Sequence, residues 1–105
     1  MEKLTSLAKL NKTLTQYRMV QVYFTASWCG PCQMIKPHAN HLACDNPHVK
    51  YFMVDVDDDP EDLADKFKIT GMPTFVFIKI GTEVDRLVGA DLNALQFKTQ
   101  LNFRN

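Results

Sequence analysis

No stretch of this chain is apolar for long enough to cross a bilayer, which takes roughly 20 consecutive apolar residues. Neither charge sign is in excess: 12 Lys and Arg stand against 12 Asp and Glu. A nucleic-acid partner, which a basic surplus would favour, is therefore not expected. Met1-Glu2-Lys3-Leu4-Thr5-Ser6 lacks the continuous apolar segment of a secretory signal. Cysteine is scarce and odd in number, three in all, as suits a compartment that keeps thiols reduced. These absences predict a cytoplasmic chain with no membrane partner. Internal repeats, linkers and low-complexity segments are also missing. A chain of 105 residues, 46% of them apolar, can support one compact domain over 1–105 and not two.

What is present centres on Ala26-Ser27-Trp28-Cys29-Gly30-Pro31-Cys32-Gln33. Two cysteines two residues apart follow an apolar run and precede a helical pattern. A cysteine at the first turn of a helix sits beside unpaired backbone N–H groups and the positive end of the dipole. Both favour a thiolate, the nucleophile of disulfide exchange. Trp28 and Pro31 are expected to limit solvent access and stiffen the turn. Two other readings of the pair stand beside redox chemistry. It could be half of a zinc site, but only Cys44 and three histidines remain to complete four ligands. It could be a structural disulfide, but so short a loop removes little chain entropy. The strand-then-helix context favours the redox reading.

Hydrophobic periodicity places the remaining elements. A short strand is expected over residues 3–5. Ser6 caps a helix to about residue 16, with Leu7, Leu10 and Leu14 on one face. Val20 to Thr25 alternates as a strand that is apolar or aromatic on both faces, which suits an interior position. The second helix runs from Gly30 or Pro31 to about residue 43, with Ile35, Ala39 and Leu42 inward and a bend at Pro37. Asn46-Pro47 ends it. Val49 to Asp55 forms the next strand. Asp59 is expected as the N-cap of a third helix, with Pro60 at its first position and Leu63, Ala64 and Phe67 inward. A calcium loop counted from Asp55 would put Pro60 and Lys66 where Gly and Glu belong, so capping is preferred. Phe75 to Lys79 and Glu83 to Val88 form a hairpin about Ile80-Gly81, where a β-branched residue is awkward. Asp91 caps a last helix carrying Leu92, Ala94, Leu95, Phe97 and Leu101. The order β-α-β-α-β-α-β-β-α predicts an α/β fold, a central sheet with helices on both faces.

The chain resembles the thioredoxin family over nearly its whole length, in a form closer to the eukaryotic cytosolic type. The residues that carry the resemblance are Trp28-Cys29-Gly30-Pro31-Cys32, Pro37, Val54-Asp55-Val56-Asp57, Met72-Pro73-Thr74-Phe75 and Val88-Gly89-Ala90. It implies a thioredoxin fold with a mixed sheet, and a protein dithiol–disulfide oxidoreductase. Cys29 would be the nucleophile and Cys32, buried behind it, the resolving thiol. Pro73 would be a cis proline facing the sulfurs, leaving the Met72 backbone free to pair with an extended substrate segment. Trp28, Gly30, Pro31, Met72, Val88 and Gly89 would form a flat apolar rim around the Cys29 sulfur.

Two positions depart from the family pattern. Tyr23 stands six residues before Cys29, where the family usually has a buried aspartate that relays the proton of the second cysteine. Met53 stands where a lysine commonly accompanies that aspartate. Losing both is consistent, since either charge alone would be unpaired in the core. A tyrosine is neutral at physiological pH and a poor general base, so slower resolution of mixed disulfides is expected. Cys44 is expected to be an inert reduced thiol. His38, His41 and His48 are read as a solvated face without metal.

The resemblance implies no bound cofactor, since the cysteines are the redox group. Electrons would come from NADPH through a flavoprotein thioredoxin reductase. Peroxiredoxin, ribonucleotide reductase and methionine sulfoxide reductase are the target proteins it suggests, acting in cell redox homeostasis with the chain as a monomer. A binding module using the rim, and a relative fed by glutathione, are the competing functional classes.

Overall fold

A computed structural model describes residues 1–104. Its elements are β1 (Glu2–Lys3), α1 (Leu7–Gln16), β2 (Met19–Thr25), α2 (Gly30–Asp45), β3 (Lys50–Asp55), α3 (Leu63–Lys66), β4 (Thr74–Lys79), β5 (Thr82–Val88) and α4 (Leu92–Asn102). They form one five-stranded sheet in the order β1-β3-β2-β4-β5. β1, β3 and β2 run parallel, while β4 pairs antiparallel with both β2 and β5. This is the mixed sheet of the thioredoxin-type fold that the sequence predicts.

β2 lies at the centre because both of its faces are apolar, and every residue from Val20 to Thr25 is buried. Val20, Val22 and Phe24 pack with Leu10 of α1 and Leu63 of α3 on one side. Tyr23 packs with Ile35 and Ala39 of α2 and Leu95 of α4 on the other. Ser6 caps α1 by accepting the Lys9 N–H at 3.2 Å, and Asp91 caps α4 by accepting the Ala94 N–H at 3.0 Å. Each such cap stabilises its helix by about 1 kcal/mol. α2 continues through Pro37 to Asp45, two residues past the expected end, and stops at Asn46.

Two expectations need correction. α3 is only four residues long and begins at Leu63, not Pro60. Asp62, the residue before it, has φ 54°, and this left-handed step stops a helix from forming over 60–62. Asp59 is thus not the N-cap, yet its carboxylate still accepts the N–H groups of Leu63 at 2.8 Å and Ala64 at 2.9 Å. The first strand is Glu2–Lys3 rather than 3–5; Leu4 is already turned into the core. On α4, Phe97 and Leu101 are exposed, and Leu95 and Thr99 are the residues that face inward.

Candidate active site

The carboxyl ends of β2 and β3 deliver the chain to one edge, where α2 begins. Cys29 is the N-cap of α2 and Cys32 lies in its first turn. The two are joined as a disulfide, with Cα atoms 5.3 Å apart. Cys29 keeps 7% of its surface exposed, whereas Cys32 has none. Attack from outside can therefore reach Cys29 but not Cys32. The Cys29 Sγ accepts the Cys32 N–H at 3.2 Å. Once the disulfide is reduced, a thiolate at this atom would keep that donor, and the helix dipole would add to it. The Cys29 carbonyl accepts the Gln33 N–H at 3.1 Å. Gln33 also reaches back with its side chain, donating Nε2–H to the Ala26 carbonyl at 2.8 Å. The loop carrying Trp28 and Cys29 is thus tied at both ends.

Beside Cys29 lies a depression of about 440 Å³ lined by Trp28, Val56, Ala64, Ile69, Gly71 and Met72, together with Thr70. Trp28 borders the same depression as Cys29. It is 67% exposed and stands as one wall. Val56, Ala64, Ile69, Thr70 and Gly71 did not emerge as site residues from the sequence, since loops far apart in the chain bring them together. Val56 carries the one available signal, an apolar residue between Asp55 and Asp57. The Met72–Pro73 bond is cis. Among the described residues, the Met72 N–H and C=O have no backbone partner. Gly30 and Pro31 are exposed on the helix side, and Val88 is exposed on the β5 side. Val88 and Gly89 do not line the depression. Gly89 instead donates its N–H to the Pro73 carbonyl at 2.8 Å, from a φ of 107° that glycine adopts readily.

Tyr23 lies under α2, fully buried, its ring stacked on Phe75 at 4.7 Å. Its hydroxyl donates to the Cys32 carbonyl at 2.7 Å. Burial pushes its phenol pKa up, and the nearby Thr25 hydroxyl offsets part of this. Tyr23 therefore stays protonated and acts here as a donor, not as a base.

The histidines do not form one face. His38 and His41 are exposed on α2, with His41 Nε2 3.3 Å from the Asp45 carboxylate. His48 lies past the helix, half-buried, with Nε2 2.7 Å from the Phe103 carbonyl. Among the described residues, no three His, Cys, Asp or Glu side chains gather as a metal site. Cys44 is an exposed free thiol in the last turn of α2.

Comparison with known proteins agrees with this geometry. The thioredoxin family model matches residues 2–101. Thioredoxin H-type of Fagopyrum esculentum is 46% identical over 90 residues, covering 86% of this chain and 77% of that one. The structure of Fasciola hepatica thioredoxin superposes with a TM-score of 0.90 at 42% identity, over 97% of this chain and 99% of that one. A yeast structure of the thiol resolving mechanism in mitochondrial 1-Cys peroxiredoxin via glutathione/thioredoxin systems gives 0.86 at 36% identity, over 93% and 92%.

Proposed function

This chain belongs to the thioredoxin family and is a thiol–disulfide oxidoreductase, and we propose that it reduces protein disulfides with Cys29 attacking and Cys32 resolving. The observation that carries the roles is the asymmetry of the pair: one sulfur at the surface on a helix N-cap, the other sealed behind it. The Cys29 thiolate attacks one sulfur of the target disulfide. A Cys29–target S–S bond forms, the target S–S bond breaks, and the expelled thiolate takes a proton from solvent. Cys32, having lost its proton, then attacks the Cys29 sulfur. The Cys29–Cys32 bond forms and the second target thiolate leaves and is protonated. The target gains two electrons and two protons, and the chain is left oxidised.

Trp28 and Met72 wall the depression beside Cys29, and we assign it to the apolar side chains of the target. The free Met72 backbone, held by Pro73, is the edge on which an extended target segment would pair. Gly30 and Pro31 on one side, and Val88 and Gly89 on the other, complete the rim. The chain binds no cofactor of its own in this reading. Its disulfide is returned to the dithiol by a two-electron donor, which we take to be a flavoprotein thioredoxin reductase using NADPH. Peroxiredoxin is the target class that the yeast neighbour brings forward. Ribonucleotide reductase and methionine sulfoxide reductase are further targets within the same chemistry. We place the chain in the cytoplasm as a monomer, where an exposed unpaired Cys44 would stay reduced.

One observation favours a second reading, a binding module that holds partners on the rim without turnover: the neutral Tyr23 replaces the family's buried acid. Turnover of a model protein disulfide with dithiothreitol as reductant separates the two. Cys29→Ser should abolish turnover, and Cys32→Ser should leave a trapped Cys29–target disulfide. Full turnover by the double serine variant would overturn the redox reading. Undiminished partner binding with no turnover in the native chain would establish the module.

A further inference from the structure

Three hydrogen bonds meet around the start of α2. The Tyr23 hydroxyl donates to the Cys32 carbonyl at 2.7 Å. That carbonyl and the Gln33 N–H belong to the same peptide group, and the Gln33 N–H donates to the Cys29 carbonyl at 3.1 Å. The Cys32 N–H, one peptide earlier, donates to the Cys29 Sγ at 3.2 Å. A donor on the carbonyl end of a peptide polarises its N–H end, so the Tyr23 and Gln33 bonds strengthen each other and fix the turn that carries the Cys32 N–H on the neighbouring peptide.

From this arrangement we propose that Tyr23 is a positioning residue for the first chemical step: its hydroxyl clamps the Cys32–Gln33 peptide, holding the turn in which the Cys32 N–H faces the Cys29 sulfur. The proposal rests on the reading of Cys29 as the attacking thiol and adds how its thiolate is held. The phenol is well placed for a clamp. Its ring is stacked on Phe75 with an interplanar angle of 7° and is fully buried, so the hydroxyl cannot swing to water. It has no carboxylate to serve and cannot itself take the Cys32 proton. The other segment against the pair carries Asp55 and Asp57 on either side of Val56, while Gly71-Met72-Pro73-Thr74 carries no titratable side chain. A usual buried acid at this position would act on Cys32 in the second step. Tyr23 acts on Cys29 in the first.

Tyr23→Phe removes one oxygen and keeps the stacked ring. In a Cys44→Ser background the reduced full chain is alkylated with iodoacetamide across pH, and single turnovers resolve attack from resolution. The Cys29 profile should move to higher pH, and attack at neutral pH should slow about threefold to tenfold. Resolution by Cys32 should stay within about twofold, since no base has been removed. A fluorotyrosine placed at position 23 has nearly the same volume and donates more strongly, so it should move the Cys29 profile the opposite way. That second variant keeps the test alive if Tyr23→Phe fails to fold. An unmoved Cys29 profile in the folded variant, or a loss confined to resolution, overturns the clamp. Cys29→Ser separates the two levels: if it remains active, the assignment of Cys29 has failed; if it is dead while Tyr23→Phe is silent, only the clamp has.

Discussion

Tyr23 and Met53 stand side by side across the parallel pair of β2 and β3. The two departures from the family pattern therefore fall at one place in the sheet, as two neutral side chains on neighbouring strands. Tyr23→Asp alone puts a carboxylate there with no cation opposite. It should cost about 3–5 kcal/mol at neutral pH, read from urea unfolding. Adding Met53→Lys should recover at least about 1 kcal/mol as a favourable coupling in the double-mutant cycle. In the folded double variant the carboxylate can accept the Cys32 proton, so resolution of a mixed disulfide should speed up at least about tenfold. Superimposable pH profiles for native and double variant would mean that solvent serves Cys32 equally well.

The pattern of residues made most of this fold legible. Alternation from Val20 to Thr25 gave the central strand, and Ser6 and Asp91 gave two helix starts, because caps and periodicity are local signals. The third helix was misplaced because Asp59-Pro60 is a good local start. The left-handed turn at Asp62 that cancels it is not announced by the residue type, since an aspartate enters that conformation only occasionally. The cysteines were legible from spacing and from the strand before them. The depression was not, since Ala64, Ile69 and Thr70 meet Trp28 only through tertiary packing. That Tyr23 bonds a backbone carbonyl rather than a water or a thiol could not be read from one residue's identity.

Ile80 should be a removable source of strain. It holds φ 51° at the first position of the β4–β5 turn, with Gly81 at 76° beside it, and is 70% exposed. A left-handed conformation costs a non-glycine residue about 1–2 kcal/mol, and a β-branched side chain adds to it. Little burial offsets this. Ile80→Asn should raise stability by about 1 kcal/mol and the melting temperature by about 4–8 °C. The Ile80 N–H bond to the Arg18 carbonyl at 2.8 Å needs no side chain and should survive. A lower melting temperature would show that the Ile80 side chain contributes more through its contacts than its backbone conformation costs.

Two carboxylates should govern acid stability. Burial would lift Asp85, but Lys98 at 2.9 Å, Asn102 at 2.9 Å and the Arg86 N–H at 2.7 Å outweigh it and hold its pKa below the usual value. Lys50, then Lys9, hold Glu2 down to about 2 from 4.5. A carboxyl with a lowered folded pKa favours the folded state fully above its unfolded pKa. That contribution is lost as pH falls through the folded value. Stability should thus begin to fall near pH 4.5 and continue to about 2 through Glu2. Asp85→Asn should cost about 1–2 kcal/mol at neutral pH and flatten part of this acid slope. Glu2 is the more exposed of the two, so its share should weaken with salt while that of Asp85 persists. A slope unchanged by Asp85→Asn would mean that the bonds to α4 contribute nothing net.

Cys44 should take no part in the redox cycle, for reasons of distance. It sits in the last turn of the same helix that Cys29 caps, and α2 runs unbroken between them. At about 1.5 Å of rise per residue the two lie roughly 22 Å apart. A disulfide needs Cα atoms within about 7 Å, and a packed helix cannot fold back to supply that. Unfolded in urea, the oxidised chain should therefore react with one equivalent of thiol reagent and the reduced chain with three, matching the one free thiol and the one disulfide. Cys44→Ser should leave target reduction within about twofold, because Cys44 lies at the opposite end of α2 from the Cys29–Cys32 pair. Peptide mapping after oxidation checks the geometry directly: a Cys29–Cys44 or Cys32–Cys44 linkage within one chain would require α2 to come apart.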